Sequence, residues 1–162
     1  MTYSEQIKET LIQALEEIQW KYQTKETEEY FYATAGLKLD EEDKIANIRY
    51  FFEVLKNGII ILATCDIKSD EKSISKMAEY ICRANYGLKN GNFEFNYDEG
   101  TVRYKIYVKV SDRNITTKEI IDSMVVVAQM WSRYGNGIID VLGGEREVKD
   151  IIEDIEASDI QS

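Results

Sequence analysis

The sequence predicts an α+β fold: a two-layer α/β sandwich in which an antiparallel sheet carries its helices on one face. Three observations predict it. Two β-prone runs, residues 45–55 and IIILATCDI, flank Asn57-Gly58, a pair that tolerates the positive φ of a type I′ hairpin turn. Phe93, Phe95 and Tyr97 alternate with polar residues, and beyond a turn bearing Gly100 so do Val102, Tyr104, Ile106 and Val108. Thr116 and Glu119 form a capping box ahead of a long apolar stripe, with Ile115 and Ile120 as its hydrophobic staple. The expected order is α-β-β-β-α-β-β-α.

Residues 3–20 open the chain as a helix, because Tyr3, Ile7, Leu11, Leu15 and Ile18 recur at three- and four-residue steps. Thr2 with Glu5 fits a capping box there, and Ser4 is a rival cap. Residues 29–37 are aromatic and β-prone and read as a strand. Asp40 to Asp43 is a solvated acidic turn; it lacks the ligand spacing and central glycine of a calcium loop. In residues 45–55, Ile48, Tyr50, Phe52 and Val54 share one face, opposite Arg49, Phe51, Glu53 and Leu55. The run IIILATCDI is nearly all apolar, so it belongs at the centre of the sheet.

A second helix starts at Asp70 or Ser73, buries Ile74, Met77, Ile81 and Ala84, and ends at Gly87. The next hairpin must pair like faces, so its turn holds an even number of residues. Pairing Phe95 with Tyr104, Phe93 with Ile106 and Glu94 with Lys105 satisfies this. The long helix after Thr116 meets Gly135-Asn136-Gly137, where a bend or an interruption is expected, and stops at Gly143-Gly144. One domain is expected over 1–144, followed by an acidic tail, 145–162, that reads as a short amphipathic helix with Val148, Ile151, Ile152 and Ile155 on one face, docked or frayed. The tail is expected to be dispensable for folding.

Composition narrows the function. The 162 residues are 44% hydrophobic, enough for a packed core without disulfide or metal. Histidine is absent, which removes the Ser-His-Asp triad, the Cys-His dyad and His-ligated zinc. The net charge of −10 opposes nucleic-acid binding, and half of it sits in the tail. No apolar run is long enough to span a membrane, and the first ten residues carry no export signal. A cytoplasmic location with Cys65 and Cys82 as reduced thiols is therefore expected.

The helix end Ala84-Asn85-Tyr86, then Gly91, Phe93, Gly100 and Arg103-Tyr104, together with the helix closing on Tyr134 to Leu142, resembles the YbjN-domain family over about residues 3–142. That family's fold is similar to the type III secretion chaperones. The loop Leu88-Lys89-Asn90 lacks the proline often found there, and the tail is extra. The resemblance implies a two-layer domain, often a homodimer, with no established catalytic residues and a chaperone-like or sensory-regulatory role.

Most polar candidates have structural explanations. Asn85 is expected to fix the helix end by bonding the following backbone. Cys65 and Trp131 are expected in the core, and Asp66 in a loop or cap at its strand's end. Glu94 is expected to answer Arg103 and Lys105 across the hairpin. Three helices on five strands leave one sheet face open. Phe51, Leu55 and Tyr107 should lie on it, joined by Tyr30 and Tyr32 or else by Phe31. This aromatic face is the expected contact for a protein partner or a second subunit. No catalytic residue, cofactor or metal is expected. The reading is a non-enzymatic regulator or chaperone-like adaptor. One alternative is a small-molecule sensor with a pocket between the second helix and the sheet; a remoter one is a carboxylate enzyme.

Overall fold

A computed structural model describes residues 2–157. The elements are α1 (Glu5–Glu17), β1 (Tyr22–Glu26), β2 (Phe31–Lys38), β3 (Asn47–Leu55), β4 (Gly58–Lys68), α2 (Ile74–Asn85), β5 (Asn92–Asn96), β6 (Thr101–Lys109), α3 (Thr117–Gly143) and α4 (Val148–Ala157). The six strands form one antiparallel sheet in the order β1-β2-β3-β4-β6-β5. This is the expected α+β sandwich with β1 added before the expected strands; α4 is the helix expected in the tail. None of the described helices is long and apolar enough to cross a membrane.

β1 was not legible because YQTKE has no apolar alternation: Tyr22 is half-buried and the other four residues are exposed. Its hydrogen bonds to β2 make it a strand, in the register Thr24 opposite Ala33. The core lies between the sheet and the helices. Phe31, Tyr50, Phe52, Ile61 and Tyr104 project into it from the strands; Leu11, Leu15, Tyr80 and Trp131 meet them from the helices.

Helix starts follow local chemistry. Ser4, the rival cap, accepts the Ile7 N–H at 3.3 Å and begins α1. Ser73 precedes α2 without a side-chain cap bond, while Asp70 accepts N–H groups from Lys72 and Ser73. The Thr116–Glu119 capping box forms in both directions. α3 is continuous through Gly135 and Gly137, and Gly144 ends it at φ 72°. These mid-helix glycines permit close packing and do not interrupt the helix. A Cβ on Gly137 would lie 2.7 Å from Tyr80 Cζ. That approach lets the buried Tyr80 hydroxyl donate to the Tyr134 carbonyl at 2.6 Å.

Two hairpin expectations are corrected. Leu55 pairs with Gly58 around Lys56-Asn57, and neither Asn57 nor Gly58 has positive φ, so the type I′ turn is absent. Gly58 is needed for another reason: a Cβ there would lie 2.6 Å from both the Tyr107 ring and the Val108 carbonyl. In the second hairpin Phe93 pairs with Tyr104, Glu94 with Arg103 and Phe95 with Val102. The register is two residues from the expected one, so the faces are as expected and the partners differ. Asn96 sets it, because its side chain accepts the N–H groups of Asp98 and Glu99 and closes the turn there. Gly100 completes that turn at φ 69°.

The tail is docked. Val148, Ile151 and Ile152 of α4 are buried, against α2 and α3. Burying such side chains contributes about 1.5–3 kcal/mol each. The expectation of dispensability weighed the tail's charge, but in α4 the charged side chains are exposed and the apolar ones are packed. Removing residues 145–162 is therefore expected to lower the Tm by about 5 °C or more, and Ile151→Ala to cost about 2–4 kcal/mol. Thermal melts check both; an unchanged Tm for the truncation would mean that α4 contributes nothing to the core.

Candidate functional site

The stretch from Asn85 to Arg103, dense in Asn, Gly and Tyr, is architecture. The Asn85 side chain accepts the Phe93 N–H at 2.7 Å and donates to the Phe93 carbonyl at 2.9 Å. It thus pairs with the outer backbone of edge strand β5 as a neighbouring strand would. Phe93, held there, meets Tyr104, Trp131 and Tyr134 edge-on at centroid distances of 4.8, 5.9 and 5.6 Å. Trp131 is buried and donates to the Ala63 carbonyl at 3.2 Å. The Tyr104 hydroxyl donates to the Asn90 carbonyl, and burial pushes its pKa up to about 12. Burial also raises the pKa of Tyr50, Tyr80 and the Cys65 thiol.

The sheet face turned away from the helices is the candidate site. Strand register places Tyr32, Glu53, Ile60 and Tyr107 in one row across it. The adjacent row is Thr34, Phe51, Leu62 and Lys105. Leu55 lies at the end of the same face, opposite Gly58. Tyr30 stacks on Tyr32 at 4.6 Å, and Tyr32 meets Phe51 at 5.0 Å. All five expected residues, Tyr30, Tyr32, Phe51, Leu55 and Tyr107, therefore share this face. Phe31 does not: it is 1% exposed, in the core. Tyr107 is 51% exposed, while Tyr30, Tyr32, Phe51 and Leu55 are half-buried.

Sequence reading missed Ile60 and Leu62, which close the gap between Phe51 and Tyr107. In IIILA, residues 59–63, every residue is apolar, so alternation could not assign a face. Pairing Leu55 with Gly58 carries that assignment: it places Leu62 beside Phe51 and Ile60 beside Glu53.

The polar candidates settle around this patch. Glu94 is bonded to both Arg103 and Lys105 on the open face. Asp66 lies within β4, not at its end, and faces Arg49 at 3.6 Å with its side chain exposed. Asp40, Glu41 and Glu42 are exposed, as a solvated turn requires. Among the described residues no three Cys, Asp or Glu side chains converge as metal ligands would. An apolar hollow of about 730 Å³ does exist, but between the end of α1, strands β2 and β3, and α3. Trp20, Tyr50, Met124 and Val125 are among its walls.

No protein-family model matches the chain, and no curated protein matches it. The motif resemblance to the YbjN-domain family therefore does not extend to a family assignment. Among solved structures, a chain of the ExsC-ExsE complex is similar, at 15% identity over 82% of this chain and 96% of that one, with a TM-score of 0.46.

Two ion-pair clusters, one at Glu94 on the open face and one at Glu26 on the helix side, give a pH dependence. Burial opposes the charge on Glu94, but its bonds to Lys105 and Arg103 outweigh this and hold the carboxyl below the usual range. Bonds to Lys8 and Tyr3 lower Glu26 in the same direction. A carboxyl lowered in the folded state stabilises fully above its unfolded pKa, and loses this as pH falls through the folded value. The urea midpoint is expected to be flat above about pH 5 and to drop below about pH 4.3. Glu94→Gln should lower the unfolding free energy by about 1 kcal/mol or less at pH 7, and its urea midpoint should fall less steeply in acid. An identical acid limb in wild type and Glu94→Gln would contradict the assignment.

Proposed function

We propose that this protein is a non-enzymatic, chaperone-like adaptor that holds an extended or amphipathic segment of another protein against its open sheet face. The observation that carries this reading is the contiguous apolar patch from Tyr30 to Tyr107, uncovered by any described helix. Contiguous exposed apolar area marks an interaction surface, whereas scattered apolar residues do not. Tyrosine suits such a surface because it offers rigid area with a polar tip. The face is a better platform than the β5 edge, where Asn85 already occupies the backbone of Phe93.

Ionisation supports holding over turnover. General acid–base catalysis needs a group whose pKa lies near the operating pH. Here the shifted carboxylates, Glu26, Asp70, Glu94 and Glu119, move down, while the Cys65 thiol and the buried phenols move up. All these shifts lead away from neutrality. A cytoplasmic regulator acting as a homodimer completes the reading. A second reading, sensing of a small apolar molecule, rests on the α1–α3 hollow walled by Trp20 and Met124, and replaces the pocket expected beside α2.

Phe51→Glu combined with Tyr107→Glu tests the adaptor. Both side chains lie outside the core, so the Tm should stay within a few degrees. Partners co-purified by the wild type from its native cells should be lost. A double variant that retains every partner would place the contact elsewhere, and saturable turnover of a small substrate by the wild type would overturn the non-enzymatic reading.

A further inference from the structure

The open face has the opposite sign of charge to the chain. Lys25, Lys38, Arg49, Arg103, Lys105 and Lys109 project from it, by the strand registers that also define the apolar rows. Among the described strand residues Glu53, Asp66 and Glu94 oppose them there, on a chain whose net charge is −10. Two of these acids are already engaged: Glu94 by Arg103 and Lys105, Asp66 by Arg49. Lys25 lies over the Tyr30 ring at 5.7 Å, at one side of the apolar patch. Lys109 sits opposite Gly58 at its other side, two residues from Tyr107. Both lysines are exposed.

We propose that the occupant of this face is an acidic polypeptide segment in which apolar or aromatic side chains alternate with Asp or Glu. This rests on the adaptor reading and specifies its partner. The apolar side chains meet Tyr32, Ile60 and Leu62, and the carboxylates reach Lys25 and Lys109 at the flanks. Complementary charge of this kind sets specificity and speeds encounter. A second copy of the chain does not fit, because face-to-face pairing would oppose two basic surfaces; a homodimer uses another surface. Single-stranded nucleic acid fits less well. Leu55, Ile60 and Leu62 give no stacking platform, and Glu53 stands between Tyr32 and Ile60.

The test uses the full chain and three fluorescent probes, read by anisotropy. Two are peptides of the same alternating Leu/Phe pattern, one with Glu at the polar positions and one with Lys. The third is an oligothymidylate. The Glu peptide should bind at least about tenfold more tightly than either other probe, and more weakly as salt rises from about 0.05 to 0.5 M. Lys25→Glu with Lys109→Glu, folded by circular dichroism, should reverse the preference between the peptides. Equal or tighter binding of the Lys peptide overturns the charge inference and leaves a holding face intact. Preference for the oligothymidylate, or binding of neither peptide, also overturns it. The adaptor reading is judged separately, by whether Phe51→Glu with Tyr107→Glu loses the native partners.

Discussion

Six strands present two faces, and α1, α2 and α3 lie against one of them. Burial on that side is nearly complete: Tyr50, Phe52, Ile61 and Tyr104 are each 0% exposed. Their polar tips are anchored to backbone, as when the Tyr50 hydroxyl donates to the Met124 carbonyl at 2.5 Å. The helical layer therefore cannot supply further cover to the far side without losing its own core. An antiparallel sheet tolerates water on one face when that face is polar. Here the uncovered face instead carries Tyr32, Phe51, Ile60, Leu62 and Tyr107 in adjoining rows.

The way the sheet ends strengthens this asymmetry. β5 has its outer backbone engaged by Asn85, and β1 is short and carries Lys25 and Glu26. Short, charged or covered edges are how sheets avoid pairing with other chains. Both edges are thus protected while a face is left apolar. Its apolar centre and lysine flanks give that face a chemical selectivity that an edge, read mainly through backbone hydrogen bonds, would lack.

Local chemistry made the helices legible. The Thr116–Glu119 box, the Gly144 stop and the apolar stripe through Met124 and Trp131 are all encoded within a few residues of where they act. What escaped depended on distant partners. β1 is a strand only because β2 lies beside it. The β5–β6 register was missed by two residues because face matching repeats every two, and the deciding bonds come from the Asn85 and Asn96 side chains. Gly137 resembles a helix breaker in sequence, but it is there to admit Tyr80 from another helix. At the site, Phe51 and Tyr107 were legible by alternation, which did not decide between Tyr32 and Phe31. Ile60 and Leu62 were hidden in an unbroken apolar run.

The central claim is that this open face is covered by a partner when the protein works. Oxidative footprinting in intact native cells, compared with the dilute purified protein, measures this directly. Tyr86, 90% exposed and outside the sheet, is the internal reference. The account predicts that Tyr32, Phe51 and Tyr107 oxidise severalfold more slowly in cells while Tyr86 is unchanged. Equal rates at Tyr32, Phe51 and Tyr107 in both settings, with Tyr86 also unchanged, would contradict it.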